Sequence, residues 1–149
     1  MPNKNATEMF LVNASWLSTF IKRALASLEP DLNTTQKRTL LCLRQLGGLP
    51  MKRYSQMVSL QSGSFTYAAE ALEKKGLVRR QKSEDDHRKR DLILTEQGRV
   101  VAQNLHEQLE AWIERELAPL TAAQRRKLMQ AFSILEEISQ KIAPKYKGL

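Results

Sequence analysis

Apolar residues recur along much of the chain at spacings of three and four, the period of an α-helix with one buried face. The first such stretch runs from Met9 to Leu28 through Val12, Trp16, Leu17, Phe20, Ile21, Ala24 and Leu25, and its apolar face is wide. Glu29-Pro30 is expected to stop it, because a proline disfavours helical geometry in the residue before it. A face that wide either covers the core of its own domain or is buried in a second chain, and the pattern leaves both open. Asn33-Thr34-Thr35-Gln36 reads as a capped helix start, with Gln36 reaching back to the cap. That second helix carries Leu40, Leu41, Leu43 and Leu46, and Gly47-Gly48 ends it. A short helix is expected over 51–60, with Pro50 at its start and Tyr54, Met57 and Val58 inward. After the turn Gln61-Ser62-Gly63, the next helix runs from about Ser62 to Lys75 and buries Phe65, Ala68, Ala69 and Leu72. Gly76 supplies the left-handed position that closes it.

The period then changes. Leu77 to Gln81 and Leu92 to Leu94 are short strands rich in branched apolar residues, and the polar run Lys82 to Arg90 suits the tip of a hairpin between them. Thr95 caps another helix, with the stripe Val100, Val101, Leu105, Leu109, Trp112, Ile113 and Leu117, broken by Pro119. Thr121-x-x-Gln124 opens a last helix with Leu128, Phe132, Leu135, Ile138 and Ile142, which stops before Pro144. Two helices about a turn followed by a ribbon make a winged helix–turn–helix. The expected fold is therefore mainly α with a small two- or three-stranded β wing. The winged domain spans 32–98, and helices at 8–29 and 99–143 complete one compact subunit.

Charge changes this picture from a fold to a function. The 149 residues hold 24 Lys and Arg against 16 Asp and Glu, a net charge of +8 that suggests a polyanionic partner. From Lys74 to Arg90 there are eight cations (Lys74, Lys75, Arg79, Arg80, Lys82, Arg88, Lys89 and Arg90) and three anions (Glu84, Asp85 and Asp86), so 17 residues carry +5. From Glu96 onward eight cations meet seven anions. The positive charge is thus concentrated on the ribbon and the end of the helix before it. These parts of a winged helix lie against DNA, where cations displace condensed counterions. Double-stranded DNA is the expected partner. The second helix of the pair would present Ser62, Ser64, Thr66 and Tyr67 at its N-terminal end to base edges. For Ser62, capping the helix is an equal alternative; Ser64 and Tyr67 are read as DNA contacts. Serine and threonine hydroxyls accept or donate at several base types and read sequence weakly. Lys74, Arg79, Lys82 and Arg90 are the expected contacts from the helix end and the ribbon.

Other chemistry is sparse. His87 and His106 are too few and too far apart for a zinc site. No glycine-rich phosphate loop or nucleophile motif occurs, so no enzyme and no cofactor is expected. The single Cys42 cannot form an internal disulfide, the N-terminus does not read as a signal peptide, and no apolar stretch approaches the ~20 residues that span a bilayer. A cytoplasmic protein without membrane contact is expected.

The ribbon and its flanks also carry a resemblance. Leu72-Glu73-Lys74-Lys75-Gly76-Leu77-Val78-Arg79-Arg80, then Asp86-His87-Arg88, then Leu92-Ile93-Leu94-Thr95-Glu96-Gln97-Gly98 resemble the signature of the MarR family: L-E-x-x-G-L-V-x-R, a D-x-R wing motif and L-T-x-x-G. The Asn33-x-x-Gln36 cap and Thr66 fit as well, and the likeness covers roughly residues 32 to 101. The resemblance implies a homodimer, with 8–29 and 99–143 as dimerisation helices and two winged domains on a palindromic site. It implies that Arg88 enters the minor groove from the wing tip and that Asp86 holds its guanidinium, which suits the negative potential of a narrow groove and the planar fork of arginine. It further implies a small phenolic or lipophilic effector bound between the dimer and the DNA-binding parts, for which Met9, Trp16, Phe20 and Trp112 are the candidate lining. Some relatives sense oxidants through a cysteine, but Cys42 lies in Leu40-Leu41-Cys42-Leu43, where the reading is a buried small hydrophobe.

The sequence departs from the pattern where family members often have arginine at Tyr67 and a basic residue at Ala71. It also has Pro50 in place of the usual hydroxyl cap. Binding would then lean on the wing, on Lys52 and Arg53, or on a different operator. The expected function is a sequence-specific transcriptional regulator, in particular a ligand-responsive repressor. The alternatives are a winged-helix module that holds a protein partner and a non-specific architectural DNA-binding protein.

Overall fold

The computed structural model describes residues 5–47, 49–50, 62–83 and 90–142. Helix α1 spans Ala6–Ala26, opened by the Asn5 side chain, which accepts the Glu8 N–H at 2.8 Å. It ends earlier than the Glu29-Pro30 pair suggests, with the Ser27 hydroxyl donating to the Ala24 carbonyl at 2.8 Å. Glu29 takes a left-handed conformation (φ 35°) in place of the extended one that a following proline favours, and its carbonyl accepts the Leu32 N–H at 3.1 Å. Helix α2 spans Thr34–Leu46 and starts at the expected capping box: Asn33 Oδ1 accepts from the Gln36 N–H at 2.9 Å, and Gln36 Oε1 accepts from the Asn33 N–H at 3.0 Å. Gly47, at φ 67°, ends it.

Pro50 lies in strand β1 (Leu49–Pro50), whose partners on β3 are Leu92 for Leu49 and Asp91 for Pro50. The strand is at the edge of the sheet, where a residue without an N–H is tolerated. The helix expected over 51–60 lies outside the described residues. Helix α3 (Ser62–Lys74) buries Phe65, Ala68, Ala69 and Leu72, the four residues the pattern selects, and Gly76 follows at φ 70°. Strands β2 (Val78–Lys82) and β3 (Arg90–Leu94) form an antiparallel hairpin, and the sheet order is β1-β3-β2.

Helix α4 (Glu96–Leu117) begins at a knot of short contacts. The Thr95 hydroxyl donates to the Gly76 carbonyl at 2.6 Å and accepts the Gly98 N–H at 3.0 Å, while the Thr95 N–H donates to the Leu77 carbonyl at 3.1 Å. A Cβ on Gly98 would stand 1.8 Å from the Leu77 carbonyl oxygen, so only glycine lets the helix approach the base of the wing. Helix α5 (Ala122–Ile142) opens on the Thr121/Gln124 capping box, with bonds of 2.9 and 3.2 Å.

The core joins α2, α3, the hairpin and the first half of α4 around Leu40, Phe65, Leu72, Leu92 and Leu105, all essentially inaccessible to solvent. Of α1 only Ala24 and Leu25 are buried, and the segment after it adds Leu28 and Leu32 to the core. Lys37 fastens the end of α1: its side chain is 3% exposed, and Nζ donates to the Leu25 carbonyl at 2.7 Å. Earlier in α1, Leu17, Phe20 and Ile21 are half-buried while Met9, Phe10, Leu11, Val12 and Trp16 are exposed, and so are Met129, Ile134, Leu135 and Ile138 of α5. Val100 is exposed too, off the buried face of its helix. Among the described residues, no helix is long and apolar enough to cross a membrane.

Candidate nucleic-acid interface

At 3.6 residues per turn, the buried residues of α3 fix which residues stand opposite them. Tyr67, Glu70 and Lys74 form that outward crest; all three are exposed, and the Tyr67 side chain is 74% accessible. Thr66 is exposed on the flank of the helix. Ser62 and Ser64 belong to the first turn of α3. Lys52, Arg53, Asp86 and Arg88 lie outside the described residues.

The hairpin register divides its charges between two faces. Val78 pairs with Leu94 and Arg80 with Leu92, so these residues and the Lys82–Arg90 pair share the face that packs on the core. Val78, Leu92 and Leu94 are buried at its base; beyond them the same face continues as Arg80, Lys82 and Arg90, all exposed. Arg79 is exposed on the other face, paired with Ile93. Lys82 and Arg90 are direct cross-strand partners, and like charges in that relation destabilise a hairpin unless an anion offsets them.

Arg80 ties the hairpin to α3. Its Nε stands 3.2 Å from Glu73 Oε2, and one terminal nitrogen stands 3.9 Å from Glu70 Oε1. At this exposure such pairs contribute at most about 1 kcal/mol, so their effect is mainly orientational. Reading the sequence for cations missed this clamp. The signal was present: strand alternation puts Arg80 on the side of Val78, and Glu70 and Glu73 lie one helical turn apart. Lys74, Arg79, Lys82 and Arg90 remain without an ion-pair partner among the described residues.

Three of the four candidate pocket residues come together. The Phe20 and Trp112 rings meet edge to face at 4.9 Å, and Trp16 stacks on Phe20 at 5.5 Å, joining α1 to α4. Trp112 is buried, Phe20 half-buried and Trp16 exposed, while Met9 lies exposed nearly two turns earlier on α1. A separate open cleft of about 790 Å³ lies between the end of α2, β3 and the start of α4, lined by Leu43, Arg44, Ile93, Leu94, Arg99 and Gln103 among others. Arg44 Nε donates to Gln103 Oε1 there at 2.8 Å. Cys42 is half-buried beside the core, and burial pushes its thiol above the ordinary value against the opposing influence of Arg38. Among the described residues, no group of His, Cys, Asp and Glu could hold a metal ion.

A helix with a polar outward crest, clamped to a basic antiparallel hairpin and followed by a helix knotted to the hairpin base, is a winged helix. Residues 32–89 match the model of the MarR family. The regulator SarZ of Staphylococcus aureus (strain USA300), an HTH-type transcriptional regulator, is 35% identical over 79 residues, which are 53% of this chain and 53% of SarZ. The chain therefore spans about half the length of that relative. A MarR transcriptional regulator from Methanosarcina mazei Go1 superposes with a TM-score of 0.76 at 25% identity, covering 90% of this chain and 99% of that one. The Mycobacterium tuberculosis MarR family protein Rv2887, solved in complex with salicylic acid, superposes with a TM-score of 0.68 at 25% identity, covering 90% of this chain and 98% of its own. Residues 32–89 of the chain thus match the MarR family, and the proteins to which it is similar are transcriptional regulators rather than enzymes.

Proposed function

We propose that this chain is a sequence-specific DNA-binding repressor that acts as a homodimer on a palindromic operator. The observation that carries the reading is the Lys82–Arg90 pair: two cations set against each other beside a recognition-type helix, a cost that a phosphate backbone would offset. In this reading the crest of α3 enters the major groove with Tyr67. Ser62, Ser64 and Thr66 stand at its leading end, while Lys74, Arg79, Lys82 and Arg90 contact phosphates. Lys52 and Arg53 add contacts from the segment before α3. Arg88 enters the minor groove and Asp86 holds it. The uncovered apolar faces of α1 and α5 support the homodimer, since contiguous apolar surface of that kind marks an interface.

A small phenolic or lipophilic effector is part of the proposal, supported by the salicylic acid complex of the similar Rv2887 protein. The aromatic cluster of Trp16, Phe20 and Trp112 is its proposed site, with Met9 at the edge. Cytoplasmic location follows from the same reading. A gel shift with the promoter beside the protein's own gene tests it. The chain should retard that fragment in preference to random DNA, with two half-sites about 10 base pairs apart and affinity falling steeply with salt. Arg88→Ala should weaken binding and lose preference for A·T-rich flanks. Equal binding by parent and variant would remove Arg88 from the interface, and equal affinity for random DNA would leave the architectural alternative.

A further inference from the structure

The crest of α3 carries an acid where a partner of phosphates would be expected to carry a cation. We infer that Glu70 reads an exocyclic amino group in the major groove, cytosine N4 above all, so that each operator half-site holds a C·G pair beneath it. This rests on the DNA-binding reading proposed above.

The position comes first. Glu70 lies between Tyr67 and Lys74 on the line opposite the buried face of α3, and its side chain is 52% accessible. A residue on that line faces whatever the helix enters.

The chemistry comes second. A carboxylate only accepts hydrogen bonds and is repelled by phosphate. In the major groove, guanine presents two acceptors and thymine one acceptor and a methyl group; only cytosine N4 and adenine N6 donate. Adenine sets its N7 acceptor beside that donor, so a carboxylate meets one attractive and one repulsive group. Cytosine presents the donor alone.

The setting of Glu70 comes third. Arg80 is anchored by its 3.2 Å contact with Glu73, and its 3.9 Å approach to Glu70 is looser. Glu73 therefore holds the guanidinium in place as a standing counter-cation. That cation lowers the cost of carrying Glu70 toward DNA and leaves the Glu70 carboxylate able to turn to a base.

Selection from a random duplex library, using the full chain and its Glu70→Gln and Glu70→Ala variants, tests the inference. The parent should enrich cytosine at one position of each half-site. Glu70→Gln should shift that position to adenine, whose N6 and N7 a glutamine amide matches. Replacing the cytosine by thymine should weaken the parent about tenfold and Glu70→Ala hardly at all. Both variants should hold random DNA more tightly than the parent, having lost a repelling charge. If all three proteins enrich the same base at every position, Glu70 is a clamp residue and the inference is overturned. If the parent enriches no sequence, it is the sequence-specific reading itself that fails, and the two failures are distinguishable. The Glu70 side chain is half exposed and its approach to Arg80 is a loose one, so the variants are expected to fold.

Discussion

Buried Lys37 and half-buried Cys42 show how the fold sets residue chemistry. Lys37 sits almost wholly out of solvent with its ammonium on the Leu25 carbonyl; desolvation lowers its pKa, and nearby Glu29 opposes that shift. A lysine whose folded pKa is lowered binds fewer protons folded than unfolded. The charged form therefore weighs against the fold, and stability rises with pH between the folded value and the ordinary one. Urea unfolding of the parent and of Lys37→Met should show the parent gaining on the variant as pH rises through the alkaline range; a constant difference would mean that Lys37 is solvated. For Cys42 the shift is upward, caused first by burial, so the thiol stays protonated at neutral pH and is a poor nucleophile. A disulfide reagent at pH 7 should modify the native chain more slowly than the urea-unfolded chain, because only the thiolate reacts. Cys42 could be read from the sequence as a small apolar residue, since its neighbours are leucines. The burial of Lys37 could not: it depends on where α1 ends in space.

At the scale of elements, local signals transferred well. The capping boxes at Asn33 and Thr121, the buried face of α3 and the left-handed Gly76 all stand where spacing and residue type put them. Each depends on contacts within a few residues. The elements that differ depend on distant partners. Pro50 becomes an edge-strand residue because β3 is there to pair with it. Helix α1 gives way at Ser27 because the chain turns there toward α2. The Thr95 knot couples the two kinds of signal, since its cap is local and its carbonyl partners come from the turn before β2. Gly98→Ala should cost about 3 kcal/mol and lower the melting temperature by about 10 °C, because its Cβ meets backbone at 1.8 Å and backbone cannot swing aside. A melting temperature within 2 °C of the parent would show that α4 can slide off the wing.

At the scale of the molecule, the single chain leaves the exposed apolar residues of α1 and α5 without cover. Phe10 is 72% exposed and Leu135 more than half. A second copy is the proposed cover, so Phe10→Asp with Leu135→Asp should sediment as a monomer and lose operator binding while keeping the circular-dichroism spectrum of the winged domain. An unchanged dimer would move the interface elsewhere. By itself the sequence determined the order and periodicity of the helices, the hairpin, the caps and the concentration of positive charge, because each of these is written in neighbouring residues. Tertiary structure decided which apolar stripes are core and which are surface, that Arg80 spends its charge on Glu73 and Glu70, and that the crest of α3 runs Tyr67, Glu70, Lys74. The physical reason is that periodicity gives a helix its faces, whereas only packing against distant residues assigns a face to core, partner or groove.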